Sequence, residues 1–343
     1  MPPADVSLDS TELEEGAPPS PLLRTRRGRF VLHGEDIHLF GVGPVVPRPD
    51  SEGAERALVD RLAELTTNRV RFQLRIETWA FCFEPGALSP WAAAESDTGL
   101  NRFDPTFWTR AVELARYAGE RGVLVEFVLF DTAALRPGPR RTGWWRNPLN
   151  SALGGPIEPG SAMQFYQMTG SDSALNALVK DAVRAFGNLT NVTWELISSL
   201  DGADPVRAGF VSHFVDLLRE ADPLDRLVSV SVANPKRTDS AIYSLQGVDA
   251  AGFDWRDGEL AAQGFAETVA TLRRFGKPVV NHRARPARDE AEADRFERER
   301  VLAAIEAGGH TIARPETVLP ETAAWLRELV SRLSAEHEED KEI

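Results

Sequence analysis

Cysteine is almost absent from this chain. Cys82 is the single one in 343 residues, which excludes a disulfide framework within the chain. Long apolar runs are missing as well: no stretch approaches the ~20 residues a membrane-spanning helix needs, so no membrane insertion is expected. The opening MPPADVSLDSTELEEGAPPSPL lacks the apolar core of a secretory signal. The expected location is cytoplasmic, export as part of an assembly aside. Without a secretory route, Asn188-Leu-Thr190 and Asn191-Val-Thr193 read as ordinary turn and strand-start residues rather than glycosylation sites.

Positive charge is in deficit. Lys and Arg number 39 against 52 Asp and Glu, a formal net charge of −13, and binding to nucleic acid depends on basic side chains neutralising phosphates. The six histidines show no H-E-x-x-H or comparable spacing, so no metal is expected. No G-x-G-x-x-G or P-loop follows the first strand candidate, so no cofactor is expected either. Gly41-Val-Gly43 reads as a strand-end turn rather than a phosphate cradle.

With 42% of its residues hydrophobic, the chain can bury a sizeable core. Residues 1–15 carry five acids and no base, and Glu336–Glu342 carries five acids against Lys341. Such segments bury too little apolar surface to offset their ordering entropy. The reading is therefore a disordered acidic, Pro-rich segment over 1–28, a folded body over 29–334, and an acidic disordered tail over 335–343.

Within that body short β-rich runs alternate with helical patterns, the mark of βαβ units. Strand candidates are 37–42, 69–74, 123–130, 192–197, 227–232, 248–253, 279–281 and 310–313. Val123–Phe130 is a nearly continuous apolar run, as a strand buried on both faces should be, broken only by Glu126. Asp104-Pro105 and Asp204-Pro205 supply N-caps with first-turn prolines. Phe107, Ala111, Leu114 and Ala118 follow on one helical face, as do Phe210, Phe214, Leu217 and Ala221. Further helices fit 53–66, 176–187, 260–275, 289–307 and 320–334, while 233–247 carries only a weak helical pattern. Eight such units make an α/β protein, a single-domain (β/α)₈ TIM barrel, in preference to an open doubly wound sheet.

Two βα loops are long, 75–103 and 131–175, and both belong on the C-terminal face where barrels carry their sites. They hold Trp79, Trp91, Trp144 and Trp145, and Trp255 follows the sixth strand. Aromatic faces of this kind suit stacking on sugar rings, and they equally suit the small cores that long loops need.

Several segments resemble clan A glycoside hydrolases, the cellulase and mannanase relatives. Arg29–Gly41 is similar to the hairpin that leads into their first strand. Asn68-Arg-Val-Arg71 resembles their second strand, Phe103–Phe130 their third βα unit, Asn191–Ser199 their fourth strand and Gly276-Lys-Pro-Val-Val280 their seventh. The resemblance runs in consistent order through residues 29–330. It implies an arginine, Arg71, beneath a catalytic nucleophile, and two carboxylates, an acid/base and a nucleophile, about 5–5.5 Å apart. Laid on this sequence, the acid/base pair Asn-Glu falls on Ser198 and Ser199, and the nucleophile position falls on Arg283. Serine cannot protonate a leaving glycosidic oxygen near neutral pH, and arginine cannot attack an anomeric carbon.

Other acids are candidates for a relocated pair. Asp131 and Asp254 end the third and sixth strands, and Asp201 and Glu77 are looser candidates that also fit turn caps. Glu195 matches a buried structural glutamate of the clan, and Glu126 reads as structural too, paired with Arg71. The ligand-binding set read from the sequence is Arg71, Trp79, Trp144, Trp145, Ser198, Trp255, His282 and Arg283. His282 and Arg283, with Arg136, Arg140, Arg141 and Arg146, offer an anion site, with solvated loop arginines the alternative. Three functions stay open: a catalytically inactive barrel that binds a carbohydrate or a protein partner through its C-terminal face, an active hydrolase using Asp131 and Asp254, and a structural or regulatory subunit.

Overall fold

The computed structural model describes residues 22–77, 86–91, 100, 103–135, 143–158, 161–202, 204–233, 241–254, 262–283, 290–313, 315 and 324–339. It opens with a three-stranded meander, β1 (Arg24–Arg26), β2 (Arg29–Leu32) and β3 (Glu35–Val45). Each of its two hairpins turns on two residues, Arg27-Gly28 and His33-Gly34, all four with positive φ. That backbone matches the right-handed twist of the flanking strands, and only glycine adopts it without penalty. The chain continues through α1 (Glu52–Leu65), β4 (Val70–Glu77), α2 (Pro105–Gly119), β5 (Leu124–Asp131), α3 (Ala162–Tyr166), α4 (Asp172–Phe186), β6 (Val192–Leu200) and α5 (Pro205–Ala221). It ends with β7 (Val228–Val232), α6 (Ala241–Ser244), β8 (Ala250–Asp254), α7 (Ala262–Arg273), β9 (Val279–Arg283), α8 (Glu290–Glu306), β10 (His310–Ala313) and α9 (Ala324–Glu339).

Strands β3 to β10 pair in parallel, each with its successor, and β10 returns to β3 to close the ring. The result is the expected (β/α)₈ barrel. The N-cap carboxylates are in place: Asp104 accepts from the Thr106 amide, and Asp204 from those of Val206 and Arg207.

Two apolar clusters follow from the period-2 alternation of the strands. Residues facing outward, such as Phe72, Leu74, Phe127, Trp194 and Val230, pack under the helices in one large core. A smaller cluster of Phe30, Leu32, Leu39, Leu124, Leu227, Val280 and Ile312 fills the N-terminal end of the barrel. The hairpin thus acts as a plug, with Phe30 edge-on to the His310 ring at 4.6 Å between centroids. Space is tight inside: a Cβ on Gly41 would lie 2.3 Å from the Ile312 side chain.

Several boundaries differ from the expected ones. Six of the eight barrel strands run one to three residues further at their C-terminal ends, because polar residues, or Gly43-Pro44 in β3, ended the apolar pattern there. Residues 22–28, read as part of a disordered segment, belong to the hairpin, and Leu23 is buried under it. The last helix reaches Glu339, into the segment read as an acidic tail, since Ala335 and the glutamates after it are good helix formers. Asn191 is buried and gives its amide to the Ala115 and Val123 carbonyls, which fits a strand-start residue.

If the hairpin closes the barrel, Phe30→Ala should lower unfolding free energy by about 3–5 kcal/mol. Urea denaturation measures it; a loss below ~1 kcal/mol would mean the hairpin is an ornament.

Candidate functional site

Inward-facing positions become polar toward the C-terminal end of the barrel. On β4 the inward series is Arg71, Gln73, Arg75, Glu77. The first of these is the correction to the sequence reading: Arg71 sits at the N-terminal end of its strand, beside Leu39. At ~3.3 Å per residue it lies about 20 Å from the Glu77 level, too deep to touch a ligand at the mouth. The arginine in the barrel centre is Arg75.

Arg75 is buried, with its Nη1 2.5 Å from Glu195 Oε2 and 3.8 Å from Glu126 Oε2, and its Nη2 3.9 Å from Glu77 Oε1. The same Nη2 donates to Ser198 Oγ at 3.0 Å. Glu126 therefore partners Arg75 rather than Arg71, because both project from the middle of adjacent strands where they are paired in register. On the other side of the carboxylates stands His282, with Nδ1 3.1 Å from Glu195 Oε1 and Nε2 3.7 Å from Glu126 Oε1. Ser229 on β7 donates to Glu126 at 3.2 Å. Room for the imidazole comes from Gly252, where a Cβ would meet the ring at 2.6 Å.

Burial alone would pull the Arg75 guanidinium down, yet Glu195, Glu77, Glu126 and Asp131 hold it above its ordinary value. Burial likewise works against a charged His282, and the Glu195 and Glu126 carboxylates overcome it, raising the imidazole. Glu126 is pushed up chiefly by burial, and further by Glu195. The group is thus a buried arrangement of shared protons and charge.

Above it lies the level of Ser198 and Ser199. Ser199 is fully buried and adopts φ +58°, a conformation that costs a non-glycine residue energy and persists only where its surroundings impose it. Its hydroxyl donates to Asp254, which also accepts from Ser231 at 3.4 Å, and its carbonyl accepts from Thr132 Oγ1 at 2.5 Å. Asp131 pairs in register with Ser198, so the two aspartates flank the serine pair from opposite strands. Both are buried, 1% and 2% exposed. Arg283 ends β9, paired in register with Asp254; only its backbone is described, as for Arg146.

The other sequence candidates separate. Trp144 is 1% exposed and belongs to the core of the third βα loop with Leu149, Ile157 and Phe165, so it is no stacking platform. Trp91 is buried as well, and Trp145 is half-buried against the core. Asp201 accepts from Arg207 at 3.0 Å and anchors the start of α5. Lys277 donates to the Tyr243 and Leu245 carbonyls, a scaffold role. Trp79, Trp255, Arg136, Arg140 and Arg141 lie outside the described residues. The sequence reading missed Arg75, Ser229, Ser231 and Gly252; the alternation Arg71, Gln73, Arg75, Glu77 was the available signal for the first.

Donor atoms of Glu126, Glu195 and His282 lie within 4.8 Å of one another. Three ligands of this kind suit a metal, but the Arg75 guanidinium and the His282 imidazole already face both carboxylates, and a further cation beside them would be repelled.

No protein-family model matches the sequence, and no curated protein matches it. Solved structures do match, by shape. Against an endo-1,4-β-mannanase from Rhizomucor miehei the TM-score is 0.66 at 11% identity, covering 85% of this chain and 90% of that one. The barrel has the fold of the clan A glycoside hydrolases. A family 5 mannosidase from the same organism gives 0.60 at 10% identity, covering 85% of each chain. An endo-1,4-β-D-mannanase from Thermotoga petrophila RKU-1 gives 0.54 at 16%, covering 76% and 83%. At such identities the likeness is one of fold. Among the described residues of this mannanase-like barrel, no helix is long and apolar enough to cross a membrane.

The raised protonation of His282 sets a direction for stability. The folded protein holds this proton more tightly than the unfolded chain, so the contribution is complete below the ordinary value of 6.5 and is lost as pH rises through the higher folded value. Glu126, also raised, acts in the same sense at lower pH. Unfolding free energy should therefore fall as pH rises above ~6.5, and His282→Gln should flatten that slope. An unchanged slope in the variant, measured by urea melts across pH 6–9, would remove the imidazole from the account.

Proposed function

We propose that this chain is a glycoside-hydrolase-like barrel without hydrolytic activity that binds a β-linked carbohydrate through its C-terminal face. The observation that carries the reading is Ser199 at the acid/base position: buried, fixed at positive φ, with its hydroxyl given to Asp254. A retaining glycosidase needs there a carboxylic acid that can donate to the leaving oxygen.

The remaining carboxylates give the same reading further support. Glu195 and Glu126 are committed to Arg75 and His282 below the acid/base level. A nucleophilic carboxylate must reach an anomeric carbon, and a buried one held in an ion-pair cluster does not. Losing a positioned acid or base costs about 10²–10⁴ in rate, and here the nucleophile position reads Arg283 as well.

For carbohydrate, the support is the shape shared with proteins named as acting on mannan and the polar ring of Asp131, Ser198, Ser199 and Asp254 below the mouth. Trp79, two residues past Glu77 in sequence, and Trp255, next after Asp254, are the stacking residues of this proposal. His282 supplies positive charge beneath.

The experiment is a glycan array with hydrolysis assays on β-1,4-linked manno- and gluco-oligosaccharides in parallel. Binding without turnover is expected, weakened several-fold by Trp255→Ala. Turnover in the wild type that disappears in Asp131→Asn or Asp254→Asn would overturn the reading in favour of a relocated catalytic pair. A blank array would remove the carbohydrate and leave a protein partner on that face.

A further inference from the structure

The opposite, N-terminal end of the barrel carries a second feature that no glycosidase chemistry explains. A cavity of about 130 Å³ opens there among Arg29, Asp36, His38, Arg69, Arg273 and His310. Its lining brings three arginines to one carboxylate, in a protein whose net charge is −13. They come from different elements: Arg29 and Asp36 from the hairpin, Arg69 from just before β4, Arg273 from the end of α7, and His310 from the start of β10.

The arginines are loosely engaged. Arg29 Nη1 stands 3.7 Å from Asp36 Oδ2, while Asp36 already accepts from Arg26 at 2.9 Å. Arg69 Nη2 is 3.7 Å from Glu35 Oε2, and its Nη1 donates to the Asp36 carbonyl at 3.3 Å. Arg273 Nη1 reaches the Ala307 carbonyl at 3.5 Å. Ion pairs at such lengths leave guanidinium donors to spare. Gly308 keeps the space open for one of them: with φ +73°, a Cβ there would lie 2.5 Å from Arg273 Nη1.

His310 reports the field. Burial first, then the neighbouring His38, Arg273 and Arg29, push its imidazole down to about 3, so the ring is neutral at physiological pH. Its Nδ1 accepts the Leu39 amide at 3.0 Å, which places the ring proton on Nε2 as a donor. The cavity therefore combines several cationic forks with a neutral N–H donor, in a volume suited to one compact group.

We propose that this cavity binds a phosphoryl group, free or as the terminus of a phosphate ester. Tetrahedral dianions match guanidinium forks in charge and geometry.

The test is a titration of the full chain followed by the His310 ring signals in NMR, with inorganic phosphate and a hexose 6-phosphate as probes and sodium chloride at matched ionic strength as control. Saturable shifts with either phosphate are expected, weakened about tenfold in Arg69→Gln/Arg273→Gln. Tighter binding of the ester would assign the ester as the source, and equal binding the free ion. Arg29→Gln, on an exposed hairpin residue, gives a weaker loss and guards against a folding defect in the double variant. Shifts matched by chloride, or an affinity unchanged in both variants, would overturn the proposal.

Discussion

Arg75 is buried in the middle of the barrel with Glu77, Glu126 and Glu195 around it. Taking such a charge from water costs several kcal/mol, and only carboxylates held in good geometry offset it. That requirement reaches outward. Glu195 and Glu126 need His282 on their far side, the imidazole needs the space left by Gly252, and Ser198 completes the guanidinium's hydrogen bonds. The polar centre of this barrel is thus one interdependent unit, and the serines and aspartates at its mouth rest on it.

A barrel built for retaining hydrolysis leaves two carboxylates reachable by substrate, one of them protonated. Here the carboxylates nearest the centre face Arg75 and His282, and Ser199 above them gives its hydroxyl to Asp254. The fold is shared with enzymes named as mannanases, yet fold sets no chemistry. Other polar residues hold the scaffold: Lys277 tethers the α6 end through two carbonyls, and Asn191 fastens the start of β6. The two ends of the barrel also differ in character. The N-terminal end is closed by an apolar plug and rimmed by arginines, whereas the C-terminal end grades into buried acids and hydroxyls.

Much of this was legible in the residues. The alternation of apolar runs with amphipathic helices gives eight strands in order, and Asp104-Pro105 and Asp204-Pro205 mark their helix starts with a mechanism that the structure reproduces. Strand ends were harder. Arg75, Glu77, Asp131, Ser198, Ser199 and Asp254 are strand residues, but an apolar-run criterion stops at the first polar side chain, and those are the positions where the site lies. Assigning the interior arginine to Arg71 followed a motif, while the inward face of β4 is decided by period-2 register counted to the top of the strand. Trp144 looked like a surface for a sugar because aromatic content says nothing of which way a long loop folds. His282 meeting Glu126 and Glu195 could not be read at all, since three strands far apart in sequence supply them.

A double-mutant cycle between Arg75 and Glu195 addresses the account at its centre. With Arg75→Met, Glu195→Gln and the pair, unfolding free energies from urea titration should give a coupling of about 1–3 kcal/mol, since each change removes the other group's nearest charge partner. A coupling below ~0.5 kcal/mol would mean the carboxylates are not bound to the guanidinium in this way, and that they are free for chemistry after all.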